Sequence, residues 1–430
     1  MGIHSVATST PTPLAADVEP PRSWRQRVAG ALSHRNYRVL WFAALGSTIG
    51  TWMQSYAQSW LIFSLTQSNF YLGIDQFLAQ LPIVLFMLIG GVIADRHDRR
   101  RLLTGSQYVQ AFSAFTLTIL VITGYVSVWY VFALSFISGC GQAFGGPAYQ
   151  SLIPSLVPRR DLPNAIALNS TQFNLSRVLG PAAGGAVLVT IGMAWCFGLN
   201  AASFFLVVIA LASLHLPPHV IPPARRALGD ELRSGLQYVR DNRLMLTLTL
   251  LIFLSTFLVW PILTLLPAFA TKVLSGAGTP QTRLSMLMAC QGLGAIVGAL
   301  TIGSLGRFKH MGRTLLILQA VQGLLIAGFA ASRALPVSLI LLFVGGMFFM
   351  AVFSISFSLV QLSVPDELRG RVVSIYLVAL RGGGPLGGLA AGFLADRFTA
   401  PHVMVVNGLL LSILAVILLA SGRGRSLRSI

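Results

Sequence analysis

Twelve apolar stretches dominate the chain, at roughly 39–64, 70–94, 102–124, 128–153, 164–190, 194–214, 244–271, 284–305, 313–333, 336–361, 371–395 and 402–421, each long enough for a bilayer-spanning helix of about 20 residues. Within hydrocarbon every backbone N–H and C=O must be satisfied inside its own segment, so these stretches leave helices as the available structure. Composition agrees. Of 430 residues, 55% are hydrophobic and 10% charged, where a soluble domain would carry about 25% charged residues. The fold class expected is an all-α membrane protein of twelve transmembrane helices.

The longest interruption, 215–243, divides the stretches six and six. The expected organisation is a disordered cytoplasmic tail (1–38), an N-terminal six-helix bundle (39–214), a linker (215–243), a C-terminal six-helix bundle (244–421) and a basic tail (422–430). Residues 1–38 are polar and lack the apolar core of a signal peptide. In the linker, Leu232, Leu236 and Val239 share one helical face between Asp230 and Glu231 at the start and Arg240 and Arg243 at the end. That order suits the helix dipole and predicts an amphipathic helix on the membrane surface.

Formal net charge is +18. In a soluble chain this would suggest nucleic acid. Position argues otherwise, because 24 of the 30 Lys and Arg residues fall in the tails and the loops of one face, four (Lys272, Arg283, Arg333, Arg397) fall on the other, and two (Arg177, Arg381) fall inside helices. By the positive-inside rule both termini are cytoplasmic, and the excess charge is a topology signal with no nucleic-acid partner implied. Cys140, Cys196 and Cys290 all lie in apolar segments without CxxC spacing, so they read as reduced core thiols.

The two intramembrane arginines belong to a repeat. Arg177-Val-Leu-Gly180-Pro181-Ala-Ala-Gly184 returns as Arg381-Gly-Gly-Gly384-Pro385-Leu-Gly-Gly388, one copy in each half. An arginine at the centre of a spanning helix costs about 2.5–3.5 kcal/mol on insertion scales, so something must compensate it. The prolines kink both helices and the glycines form ridges for close helix packing. Arg177 and Arg381 either face a central cavity and attract an anionic substrate or Asp75, or bond carbonyls and glutamines to brace the bends. The glycines Gly382 to Gly384 point to bracing for Arg381.

Among acidic residues only Asp75 lies within an apolar run, and all seven histidines fall in the tail, in loops or at helix ends. Asp75 is therefore the proton-coupling candidate, with Asp95 in reserve. The alternative for Asp75 is a hydrated carboxylate near the N-terminus of helix 2, where negative charge is favoured. Helix 1 supplies a polar face, with Gly46, Gly50, Gln54 and Gln58 in one row and Ser47, Thr51, Ser55 and Ser59 in the next. Gln54 and Gln58 read as substrate contacts of a water-filled pathway with Trp52, Tyr56 and Trp60 nearby. The glycines read as packing positions.

Gly91-Val-Ile-Ala-Asp95-Arg96-His-Asp98-Arg99, joining helices 2 and 3, resembles the cytoplasmic gating signature of the major facilitator superfamily, and Gly180-Pro181-Ala-Ala-Gly184 resembles its helix 5 antiporter motif. His34-Arg-Asn36-Tyr37-Arg38, Gly50-Thr51-Trp52-Met53-Gln54, Leu162-Pro-Asn164-Ala165 and Gly370-Arg371-Val-Val-Ser374 are similar to segments of the enterobactin exporter and macrolide efflux branch of bacterial drug:proton antiporters. The sequence departs from the superfamily pattern at Asp98, where glycine is preferred, at Ser176 and in the loop after helix 8, which has no aspartate. The resemblance implies two pseudo-symmetric six-helix bundles around a central substrate site. It also implies that Asp95 caps the start of helix 11 near Gly370, with Arg96 and Arg99 pairing across the halves, when the cytoplasmic side is closed.

The expected function is export of a small amphiphilic molecule (a drug, siderophore or secondary metabolite) from a bacterial cytoplasm by proton antiport and alternating access. The protein would be a monomer in the cytoplasmic membrane, driven by protonmotive force without a cofactor. An uptake permease of the same fold and a non-transporting sensor or scaffold are the alternatives. An enzyme is disfavoured, because the helices hold no histidine, no paired carboxylates and no GxxxxGK[ST] loop.

Overall fold

A computed structural model of the chain describes residues 30–96, 98–215, 228–276, 278–306 and 308–421, with the side chains of 87–96 and 228–232 outside that description. Twelve long helices follow one another: α1 (Arg35–Thr66), α2 (Asn69–Arg96), α3 (Arg99–Thr123), α4 (Val128–Leu152), α5 (Leu162–Thr190), α6 (Met193–Ser213), α7 (Arg243–Val273), α8 (Pro280–Leu305), α9 (Met311–Ala331), α10 (Leu335–Ser363), α11 (Asp366–Phe398) and α12 (Ala400–Ala420). Nine are apolar and long enough to cross a membrane by length and composition alone. Of the other three, α1 and α5 carry the polar interior, and α2 includes residues outside the described side chains. Among the described residues no strand forms beyond a single bridge between Ser275 and Ala334.

Helix ends extend past the apolar runs because polar residues complete them. Asp98 caps α3 by accepting from the N–H groups of Arg100 and Arg101, Asn242 caps α7 through Leu244 and Met245, and Thr279 caps α8 through Thr282. Pro261 and Pro267 interrupt α7, which ends in a π-turn over Phe269–Val273.

Packing repeats with an offset of six helices. In the first half α1 lies against α5 and α6, α2 against α4, and α3 against α4 and α6; in the second half α7 lies against α11 and α12, α8 against α10, and α9 against α10 and α12. The two most extensive pairings between the halves are α2 with α11 and α5 with α8, and the same offset relates these two as well. An even number of crossings puts both ends of the chain at one face, here termed the termini face; the other is the far face. Large apolar side chains stay exposed on the peripheral helices, among them Phe112 and Ile122 of α3, Ile209 of α6 and Ile413 of α12. Such a belt suits lipid contact.

Two expectations change here. The polar tail was set at 1–38, but residues 30–38 are structured: Gly30–Ser33 forms a 3-10 turn, Ala31 and Tyr37 are buried, and α1 begins at Arg35. Residues 1–29, like the C-terminal tail 422–430, lie outside the described residues. The linker helix, Leu228–Asp241, docks on α11 rather than resting only on the membrane surface. Gly235 permits this approach, since a Cβ there would stand 3.0 Å from that of Arg371, whose Nη1 donates to Ser234 Oγ at 2.9 Å. Val239 is buried while Leu236 is exposed, and Leu232 lies outside the described side chains.

Candidate functional site

The interior of the first half is organised by α1, whose four neighbouring residue rows meet different partners. Gly50 faces Asn200 and Ser203 of α6, and Trp52, Met53 and Tyr56 face Gly180 and Gly184 of α5. The face left open by both helices carries Thr51 and Ser55, exposed, beside half-buried Gln58. Polar groups exposed in the middle of a spanning helix belong against a water-filled space rather than lipid.

Gln58 leads inward from this face to Asp75 of α2. Its Nε2 donates to both carboxylate oxygens of Asp75, at 3.0 and 2.9 Å, and lies 2.9 Å from Ser135 Oγ of α4, which itself donates to Asp75 Oδ1 at 2.5 Å. Asp75 is 9% exposed and has no cationic partner among the described residues. On the other side, Gln54 Nε2 donates to Gln58 Oε1 at 3.4 Å, and Asn200 Nδ2 donates to Gln54 Oε1 at 2.6 Å. One continuous chain of neutral amide and hydroxyl groups therefore links α6, α1, α4 and α2 and ends on a lone carboxylate. Amides and hydroxyls can turn to donate or accept, so the network accommodates that carboxyl group with or without its proton.

The arginine repeats diverge. Arg177 is 6% exposed; its Nη2 donates to Gln291 Oε1 of α8 at 2.8 Å and its guanidinium stands 5.8 Å from the Trp52 ring, which meets Phe173 edge-on. Arg177 thus braces the α5–α8 junction between the halves. Arg381 is exposed and has no bonded partner among the described residues. This reverses the expectation drawn from its flanking glycines. Gly383, Gly384 and Gly387 do pack tightly, against Phe253, Thr256, Phe257 and Trp260 of α7, but they do so on a different side of α11 from the arginine. Neither guanidinium meets Asp75, so the carboxylate does not serve as their counter-ion in this conformation.

The kink motifs are junctions. A Cβ on Gly180 would stand 2.3 Å from that of Trp52, and one on Gly184 would stand 2.7 Å from Tyr56 Cδ1. Each proline removes an N–H, so Pro181 leaves the Arg177 carbonyl without its helical donor and Pro385 does the same to Arg381. Ser285 of α8 donates to the Pro181 carbonyl at 2.8 Å, and Tyr56, expected on the pathway wall, has no exposed surface and donates to the Gln281 carbonyl at 2.9 Å. These bonds, with Arg177–Gln291, close the halves together from mid-membrane to the far face.

Of the gating segment, the side chains of Gly91, Asp95 and Arg96 lie outside the described set. Asp98 caps α3, and Arg99 Nη1 donates to the Ser151 carbonyl at 2.8 Å, within its own half. Two segments singled out in sequence meet at the termini face: His34 Nε2 lies 2.9 Å from Asp161 Oδ2, Asn164 Oδ1 accepts from the Ala31 N–H at 2.8 Å, and Tyr37 donates to the Ala165 carbonyl at 2.9 Å. Ser135, Asn200 and Gln291 went unnoticed in sequence. Each is a single polar residue in an apolar run, and only the tertiary fold shows which group it answers.

Long apolar helices packed in two repeating sets, with a polar inner face, are the architecture of a multi-pass membrane protein, and the family it matches is one of small-molecule transporters rather than enzymes. The chain belongs to the transmembrane secretion effector family of the major facilitator superfamily, whose sequence profile matches residues 28–425. It is 25% identical over 399 residues to the enterobactin exporter EntS of Citrobacter koseri, covering 93% of this chain and 94% of that one. The figures are the same for EntS of Escherichia coli O81. Among solved structures it is similar in fold to a peptide transporter POT in complex with sulfate (TM-score 0.73, 14% identity, 95% of this chain and 100% of that one). A second is a bacterial homologue of the human lysosomal transporter Spinster, inward-facing and occupied (TM-score 0.72, 14% identity, 95% and 98%).

Proposed function

We propose that this protein exports a small amphiphilic molecule across the bacterial cytoplasmic membrane in exchange for a proton, which is carried on Asp75. The observation that carries this reading is the Asp75 carboxylate itself, held by Gln58 and Ser135, unpaired with any cation among the described residues and one side chain from the open face of α1. A carboxylate so placed is a functional group by default, because a structural role in the membrane would call for a charged partner.

With both termini placed in the cytoplasm by the arginine asymmetry of the sequence, the closed far face is the outer one, and Thr51, Ser55 and Arg381 are reached from the cytoplasm. Cargo enters there from the cytoplasm or inner leaflet. Arg381, exposed and without a bonded partner among the described residues, attracts its anionic group, while Thr51, Ser55 and Gln58 offer hydrogen bonds. The enterobactin exporters among the relatives support a siderophore or similar secondary metabolite as the substrate class. The protein acts as a monomer, without cofactor or nucleic acid.

Energetics fits a single coupling proton. One charge moved through about 150 mV supplies roughly 3.5 kcal/mol, enough to sustain a gradient of about a few hundredfold. Reconstituted in proteoliposomes with a pH gradient, Asp75→Asn is expected to lose gradient-driven export while retaining exchange of cargo for cargo. Gradient-driven transport at the wild-type rate in this variant is the outcome that contradicts the proposal.

A further inference from the structure

One hexapeptide pattern occurs at the ends of two helices that pack against each other in opposite directions. Gly91-Val-Ile-Ala-Asp95-Arg96 ends α2, and Gly392-Phe-Leu-Ala-Asp396-Arg397 ends α11 one residue before its terminus. α2 runs from the far face to the termini face and α11 runs the reverse. Each copy therefore stands at the face where the other helix begins.

At the far face this arrangement is closed. Asp396 Oδ1 accepts from the Asn69 N–H at 2.7 Å and from Asn69 Nδ2 at 2.9 Å, and Oδ2 accepts from the Phe70 N–H at 3.1 Å and from the Ser68 hydroxyl. Four donors converge on one carboxylate, and two of them are free N–H groups of the first turn of α2, where the helix dipole favours an anion. Close backbone approach makes this reach possible: a Cβ on Gly392 would stand 2.4 Å from the Asn69 carbonyl oxygen, and one on Gly73 would stand 2.6 Å from that of Gly388. Phe70 and Phe393 meet edge-on beside it, with ring centroids 5.7 Å apart.

At the termini face no cap on the start of α11 is found among the described residues. Pro365 at its N-cap makes no side-chain capping bond, and Asp366, Glu367, Arg369 and Gly370 are exposed. A Cβ on Gly370 would meet nothing within 4 Å. The same two helices thus have one first turn capped from across the halves and one without a cap among the described residues.

We propose that Asp396 is the latch of the far face, closing it by capping the first turn of α2 from across the halves. The resemblance to the superfamily implied gating by the Asp95 segment alone. Closing the far face requires the Asp396 bonds; opening it exchanges all four donors for water as α2 rocks against α11. The Asp396 cap is a positioning device, since it touches neither cargo nor the coupling carboxylate. The inference rests on the alternating-access reading above, but it is read out without cargo or a proton gradient, so its failure is distinct from failure of the Asp75 assignment.

The test is a pair of spin-label distances in the full-length protein in nanodiscs, with the three native cysteines replaced by alanine. One pair replaces Tyr125 and Arg333 at the far face; the other replaces Arg159 and Lys309 at the termini face. Loss of a cap shifts a two-state equilibrium by between about two-fold and thirty-fold. Asp396→Asn is expected to raise the population with a long Tyr125–Arg333 distance by roughly five-fold and to shorten the Arg159–Lys309 distance. Asp396→Glu is expected to restore part of the wild-type distribution. If Asp396→Asn does not fold, Ser68→Ala combined with Asn69→Leu removes two of the four donors and is expected to give a smaller shift in the same direction. A folded Asp396→Asn protein, or failing that a folded donor variant, with both distributions unchanged overturns the proposal.

Discussion

Arg177 donates to Gln291 at 2.8 Å, so the one charge at the middle of α5 is shared with α8 in the other half of the molecule. The matching arginine, Arg381 of α11, is exposed and has no bonded partner among the described residues. A repeat that is nearly symmetric in sequence has separated into a brace and a free cation, and the two positions are expected to respond differently to substitution.

Gln291→Ala leaves the buried Arg177 guanidinium without its acceptor. A hydrogen bond to a charged group is worth about 1.5–3 kcal/mol, and the variant should lose stability of that order. Arg177→Met combined with Gln291→Leu removes both polar partners and should recover most of the loss. Thermal unfolding of the purified proteins in one detergent measures both; equal losses in the single and double variants would contradict a bracing role.

Arg381→Ala should unfold within about 0.5 kcal/mol of wild type, as expected where no packed or bonded group is removed. Its effect should appear in cargo recognition: affinity for anionic substrates falls about ten-fold or more while neutral analogues are little changed, and Arg381→Lys retains part of the affinity. Binding titrations with a matched anionic and neutral pair check this. A large stability loss without a change in selectivity would move Arg381 to the structural side.

Gly180→Ala forces a Cβ to within 2.3 Å of that of Trp52 and should cost about 1–3 kcal/mol through displacement of α1 from α5. Gly382→Ala, in the other repeat, places its Cβ where nothing lies within 4 Å and should be close to neutral. Fluorescence-detected thermal stability of the pair separates the packing glycine from the one that merely accompanies it.

The run of long apolar helices and the glycine-proline motifs inside α5 and α11 were legible because hydrophobic length and local breakers are properties of contiguous sequence. Asp75 was legible for the same reason, as a lone carboxylate in an apolar run. Its partners were not, because Ser135 and Asn200 look like any other small polar residue until α4 and α6 are packed beside α1. The roles of Arg177 and Arg381 could not be separated from their nearly identical surroundings in the chain: what distinguishes them is Gln291 across the interface, a tertiary fact. The glycines beside Arg381 misled for a related reason, since they pack on a different side of the helix from the arginine they flank. Helix ends fell outside the apolar stretches because polar caps such as Asp98 and Asn242, and the ordered Tyr37 turn, are stabilised by bonds that hydropathy does not register.

The central claim is that Asp75 carries the coupling proton, and proton flux measured together with cargo export in proteoliposomes of Asp75→Asn tests it most directly. The account predicts that cargo-dependent proton movement disappears while cargo exchange persists, at a thermal stability near that of wild type because the asparagine can still bond Gln58 and Ser135. Cargo-dependent proton flux of wild-type size in the folded variant would contradict it.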